Sequence, residues 1–161
     1  MAPQFLVFLN TRKKILKFSF AALLTYVLTI GYAQNVADIT GDWYGVLTQN
    51  SGGYKDTYNV ELFLDKKGSA FTGIFVVKEK NLTSRMEVKG EWLTKSKVKL
   101  SDVRLLEHKE PDGVNWCFKT YLLDFTITDK KPVLNGVWSG KTLTDKCVPG
   151  KVYLKKSLPK A

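Results

Sequence analysis

The 161-residue chain is poor in the side chains that do chemistry: it holds one histidine, His108, and two cysteines, Cys117 and Cys147. No serine stands in a hydrolase motif with that histidine, so no nucleophile–base pair is legible and no catalytic residue is expected. Glu107, Glu110 and Asp112 lie near His108 in sequence. They fall at a strand end and a Pro-Asp-Gly turn, where solvated charges are ordinary. The two cysteines and one histidine match no zinc-ligand spacing, so no metal is expected. Arginine is scarce too, with only Arg85 and Arg104 after Arg12. Lysine is the poorer group for bidentate recognition of phosphates and bases, so no nucleic-acid partner is expected. Nowhere does a helical apolar period persist, which removes the glycine loop that cradles a phosphate ahead of a helix. No cofactor is expected.

Long apolar runs are also missing. The longest, FSFAALLTYVLTIGYA over residues 18–33, falls short of the ~20 residues a spanning helix needs. Arg12, Lys13, Lys14 and Lys17 precede it, and Gly31 and Ala33 stand three places and one place before a cleavage point at Gln34. This is the grammar of a secretory signal peptide, expected over 1–33, with one mature domain over 34–161. No stable membrane insertion is expected after cleavage, and no cysteine stands at the cleavage point to carry a lipid. Removing the leader leaves 21 basic against 15 acidic residues, a net charge of +6. The lysines alternate along strands, as in KVKL at 97–100, where they keep the chain soluble and discourage pairing between sheet edges. A secreted or periplasmic address implies oxidising surroundings, in which Cys117 and Cys147 are expected to form a disulfide.

What is present is period-two alternation. Strands are read at 42–49, 57–65, 70–79, 86–93, 97–108, 116–128, 133–142 and 151–156, separated by turn signals. DKKG at 65–68 suits a tight hairpin with Gly68 left-handed, and EPDG at 110–113 suits a type I turn. The alternation slips near Ser101 and Asp102, which predicts a bulge. Eight strands with mostly short loops imply antiparallel neighbours. The expected fold is all-β, an eight-stranded antiparallel up-and-down barrel, with a β-sandwich as the alternative; strand order separates them.

One pattern recurs four times: an apolar residue, then Gly two places on, then an aromatic two further. It reads ITGDW (39–43), FTGIF (71–75), VKGEW (88–92) and LNGVW (134–138). The three positions share one strand face. Glycine beside a ring gives the ring room and lets the strand bend where a small barrel curves most.

The first copy, with Gly41 and Trp43, resembles the G-x-W of the calycin superfamily: lipocalins, fatty-acid-binding proteins and avidins. The resemblance implies a barrel with that tryptophan closing one end. Size and rhythm are most similar to avidins, although Gly45 stands where an avidin carries a biotin-binding Asn. Lipocalins end a late strand in T-D-Y, here Thr128-Asp129-Lys130, and place an arginine over the first tryptophan, for which nothing after Arg104 is available. The span from Gln49 to Asp56 is too short for the helical pair of fatty-acid-binding proteins. The lipocalin-like reading implies a small apolar ligand and no catalysis. The residues expected to meet it are Trp43, Phe75, Trp92, Trp116, Tyr121 and Trp138, with Tyr58 and Thr120 as polar fixation. The same rings could serve as plain core filling. Tyr44 and Phe63 fall on the opposite face, where exposed aromatics would mark a protein partner, the alternative function being an interaction or inhibitor module with a filled barrel.

Overall fold

The computed structural model describes residues 38–157. The leader expected over 1–33 lies outside them. Eight strands follow one another: β1 (Gly41–Thr48), β2 (Thr57–Lys67), β3 (Ala70–Lys78), β4 (Thr83–Trp92), β5 (Lys97–Lys109), β6 (Phe118–Thr128), β7 (Lys131–Lys141) and β8 (Gly150–Lys156). Each pairs antiparallel with the next. β1 then pairs with β8, Trp43 opposite Lys156 and Leu47 opposite Val152, which closes the sheet into a barrel. The sandwich alternative is thereby excluded: among the described residues no strand leaves the ring to begin a second sheet.

Alternation decides what fills the lumen. Val60, Leu62 and Leu64 of β2, Val98 and Leu100 of β5, and Tyr121 and Leu123 of β6 are all buried, while their sequence neighbours point out. All four copies of the glycine pattern face inward, with Ile39, Trp43, Phe71, Phe75, Val88, Leu134 and Trp138 buried and Trp92 half-buried against them. Gly136 shows why the middle position is glycine. A Cβ placed there would lie 2.0 Å from the carbonyl oxygen of Leu122 on β6, a distance that no side chain tolerates. Gly41 serves differently: its φ of 102° turns the incoming chain so that Ile39 can enter the barrel end.

The turns refine the sequence expectations. Gly68 is left-handed with φ 65°, as the hairpin requires. The β6–β7 hairpin turns on Asp129 (φ 50°) and Lys130 (φ 62°), the two left-handed residues of a type I′ loop, which Lys130 enters without glycine's freedom. The EPDG expectation needs correction. Val114 N–H donates to Pro111 O, and Gly113 has φ 80°; Pro111 is thus the first residue of a type II turn, because only glycine sits easily at its third place. β4 begins earlier than read, at Thr83, and β6 later, at Phe118, which leaves Trp116 in the preceding loop. The slip in β5 is found beside Asp102, where Val103 is an extra residue opposite β4, and a second extra residue, Leu106, follows.

β5 and β6 share a ladder of only five pairs, Lys97–Ser101 against Thr120–Asp124. Beyond it, β5 runs on with β4 alone. At the point of separation the Asp102 carboxylate accepts the Lys119 backbone N–H at 2.8 Å, a side chain standing in for a missing ladder bond.

Candidate functional site

The two barrel ends differ. At the end holding the β2–β3, β4–β5 and β6–β7 hairpins, Ile39, Trp43, Phe71, Trp92 and Phe125 fill the lumen. Trp43 Nε1 donates to Ile39 O at 2.9 Å, and Trp92 meets Phe71 and Phe125 edge-on, with ring centroids 5.9 and 6.4 Å apart. Above this plug Phe75 stacks on Tyr121 at 4.9 Å. The opposite end is open. There a cavity of about 300 Å³ is enclosed by the barrel rim and the loops before β2, β6 and β8.

Four aromatic side chains, Tyr54, Tyr58, Trp116 and Trp138, line its walls. Trp138 is held by its Nε1–H, which donates to Thr48 O at 2.8 Å. Trp116 is fixed through Nε1–H to Glu110 Oε2 at 2.7 Å. Tyr58 donates its hydroxyl to Gln49 Oε1 at 2.7 Å, and its burial pushes the phenol above its usual value. The Cys117–Cys147 disulfide, Cα atoms 6.3 Å apart, ties the β6 approach to the loop ahead of β8 and lines the same cavity. With a sequence separation of 30, it contributes roughly 3–4 kcal/mol by restricting the unfolded chain. A formed disulfide is compatible with an oxidising compartment.

The cavity floor is polar. Lys119 takes the first inward position of β6 and is 7% exposed. Its Nζ donates to Cys117 O at 2.9 Å and lies 5.6 Å from the Trp138 ring and 5.9 Å from the Trp116 ring. Asp102 faces inward from β5 and also accepts the Tyr121 hydroxyl at 3.2 Å. Burial pushes the Asp102 carboxyl up to about 6, against the opposing pull of the Lys119 charge and of its hydrogen bonds. The same burial lowers the Lys119 ammonium, with Asp102 opposing. Tyr121 is raised well above its usual value by burial and by the neighbouring carboxylate.

Of the residues expected to meet a ligand, Tyr58, Trp116 and Trp138 line the cavity. Trp43 and Trp92 belong to the plug, and Phe75 and Tyr121 to the stacked layer beneath. Thr120 points outward, 3.4 Å from Ser101 Oγ. Lys119 and Asp102 were not among the expected residues. Their signal is parity: Lys119 lies two places before Tyr121 and four before Leu123, and Asp102 two after Leu100, so both fall on inward faces. His108 is exposed, with Nε2 3.5 Å from Glu110 Oε1. Among the described residues no group of three metal-ligating side chains converges. Tyr44 and Phe63 are exposed on the outer surface.

Comparison of the chain with protein-family models, curated proteins and solved structures finds no match.

Proposed function

We propose that this chain is an exported, non-catalytic binding protein of the lipocalin-like, calycin type, working in the periplasm or outside the cell. It holds a small apolar ligand in the open barrel end. The carrying observation is the cavity of about 300 Å³ walled by Tyr58, Trp116 and Trp138, at the lower limit of typical small-molecule sites, ~300–1,000 Å³. The basic–apolar–small leader pattern and the disulfide support export. The G-x-W at Gly41 and Trp43 and the closed eight-strand meander support calycin kinship.

Two measurements test this reading. Native mass spectrometry of protein from its natural envelope or medium is expected to show a co-purifying small molecule. N-phenyl-1-naphthylamine, a neutral fluorescent probe, is expected to bind and to be expelled by Val148→Trp, which fills the cavity. No adduct and no probe binding would reject the reading. That result would favour the interaction module, whose support is the exposure of Tyr44 (51%) and Phe63 (39%) on neighbouring outer strands.

A further inference from the structure

The cavity is lined by apolar, aromatic and neutral polar residues and by one charged residue, Lys119. An ammonium has three N–H donors. One is spent on Cys117 O, and among the described residues Nζ has no carboxylate within ion-pair distance. The rings of Trp116 and Trp138 favour the cation by their faces but accept no conventional hydrogen bond. The Asp102 carboxylate, whose charge acts on Lys119, accepts the Lys119 backbone N–H and the Tyr121 hydroxyl but makes no ion pair with Nζ. A buried cation with unspent donors facing an aromatic-walled cavity is costly unless something completes it.

Resting on the binding function proposed above, we infer that the ligand is a small monocarboxylic acid with a flat apolar body, its carboxylate seated on Lys119 Nζ and its body between Trp116 and Trp138. The single charge selects the class. A dianion such as a phosphate monoester would find one lysine only, since the cavity offers neither arginine fork nor second lysine to hold it. A neutral ligand of the same shape would fill the walls but leave the ammonium donors without a charged acceptor.

Calorimetric titration with 2-naphthoate and its neutral isostere 2-naphthamide tests this. The wild-type chain is expected to bind naphthoate at least about tenfold more tightly than naphthamide, the gain of a hydrogen bond between two ions over one charged on the donor side alone. In Lys119→Met the preference is expected to vanish while naphthamide affinity stays within about threefold, since methionine keeps the shape of the stem without the charge. Should that variant not fold, Lys119→Gln and the wild-type ratio carry the test. Naphthamide binding as well as naphthoate to the wild type would overturn the carboxylate inference and leave the apolar site standing. A preference that survives loss of the charge would likewise overturn the role of Lys119. Binding of neither compound would reject the cavity as a ligand site and the inference with it.

Discussion

Replacing Asp102 with asparagine is expected to change how stability depends on pH. In the folded chain the carboxyl is raised to about 6 by burial, from an ordinary 3.8. Between those values the folded state holds a proton that the unfolded state has released, so stability falls as pH rises through the window. About two pH units at ~1.4 kcal/mol each give roughly 3 kcal/mol lost between pH 4 and 7 through this one group. The amide side chain of Asp102→Asn would keep an oxygen for the Lys119 backbone N–H and could not ionise, so this loss disappears. Lys119, deprived of its opposing charge, is lowered further in the variant. A lowered base loses stability as pH falls, so this shifts the comparison in the same direction. Asp38 and Glu79 are lowered by hydrogen bonds from Thr40 and Lys55 respectively. Their stabilisation is lost as pH falls through values below 3.8 and 4.5, equally in both proteins. Urea unfolding of the disulfide-intact chains at pH 4, 5, 6 and 7, followed by tryptophan fluorescence, measures the difference directly. The stability of Asp102→Asn relative to wild type should rise by roughly 2–3 kcal/mol from pH 4 to 7. Profiles parallel within about 0.5 kcal/mol would refute the buried carboxylate reading and the polar floor built on it.

Closure and burial give two more tests. Gly136→Ala places a Cβ 2.0 Å from the Leu122 carbonyl oxygen and is expected to cost at least about 2 kcal/mol by forcing β7 from β6. Gly68→Ala, with φ 65° and open space around it, should cost only about 1 kcal/mol of backbone strain; equal urea midpoints for the two would refute the close-approach explanation. Ser84→Ala removes a buried hydroxyl that has no hydrogen-bond partner among the described residues, so a thermal melt should show it unchanged or stabilised by up to about 1 kcal/mol. A clear loss of stability would reveal a partner for that hydroxyl.

The barrel was legible because its determinants are local and repeat. Period-two alternation marks each strand, Gly68 marks its hairpin by a conformation few other residues accept, and the four glycine–aromatic copies place large rings on one face. Closure itself is a non-local fact, yet a meander of eight short-looped strands leaves little else for the two edges to do. Misplaced details were those where tertiary contacts choose between local alternatives. EPDG permits a turn starting at Glu110 or at Pro111, and the chain takes the second, with Trp116 anchored on Glu110 Oε2. In β5 the slip expected near Ser101 and Asp102 sits at the adjacent Val103, the one extra residue that lets Asp102 and Leu105 both face in; a second bulge, at Leu106, left no mark in the alternation.

The binding end was harder to read, and for a definite physical reason. Apolar letters at inward positions look alike whether they pack against other side chains or border open space, so Trp43 and Trp138 carry the same motif at opposite ends of the barrel. Which end stays open depends on strand stagger and loop length: the plug receives Ile39 from before β1, whereas the other mouth is framed by longer loops. Lysine and aspartate carry the opposite ambiguity. A charged letter within KTYLLDF reads as solvated, and Asp124 of that run is indeed half-exposed, its carboxylate 2.8 Å from Lys97 on the outer face. Lys119 differs from it only in parity, sharing the inward face with Tyr121 and Leu123. Parity cannot by itself distinguish a strand-end lysine that escapes to water from one that is roofed over. Here the roof is the loop bearing Trp116 and the disulfide to Cys147, brought across the mouth by residues distant in sequence. The same covalent tie that secures the loop therefore buries the cation, and loosening the disulfide would be expected to hydrate Lys119 before it unfolds the sheet.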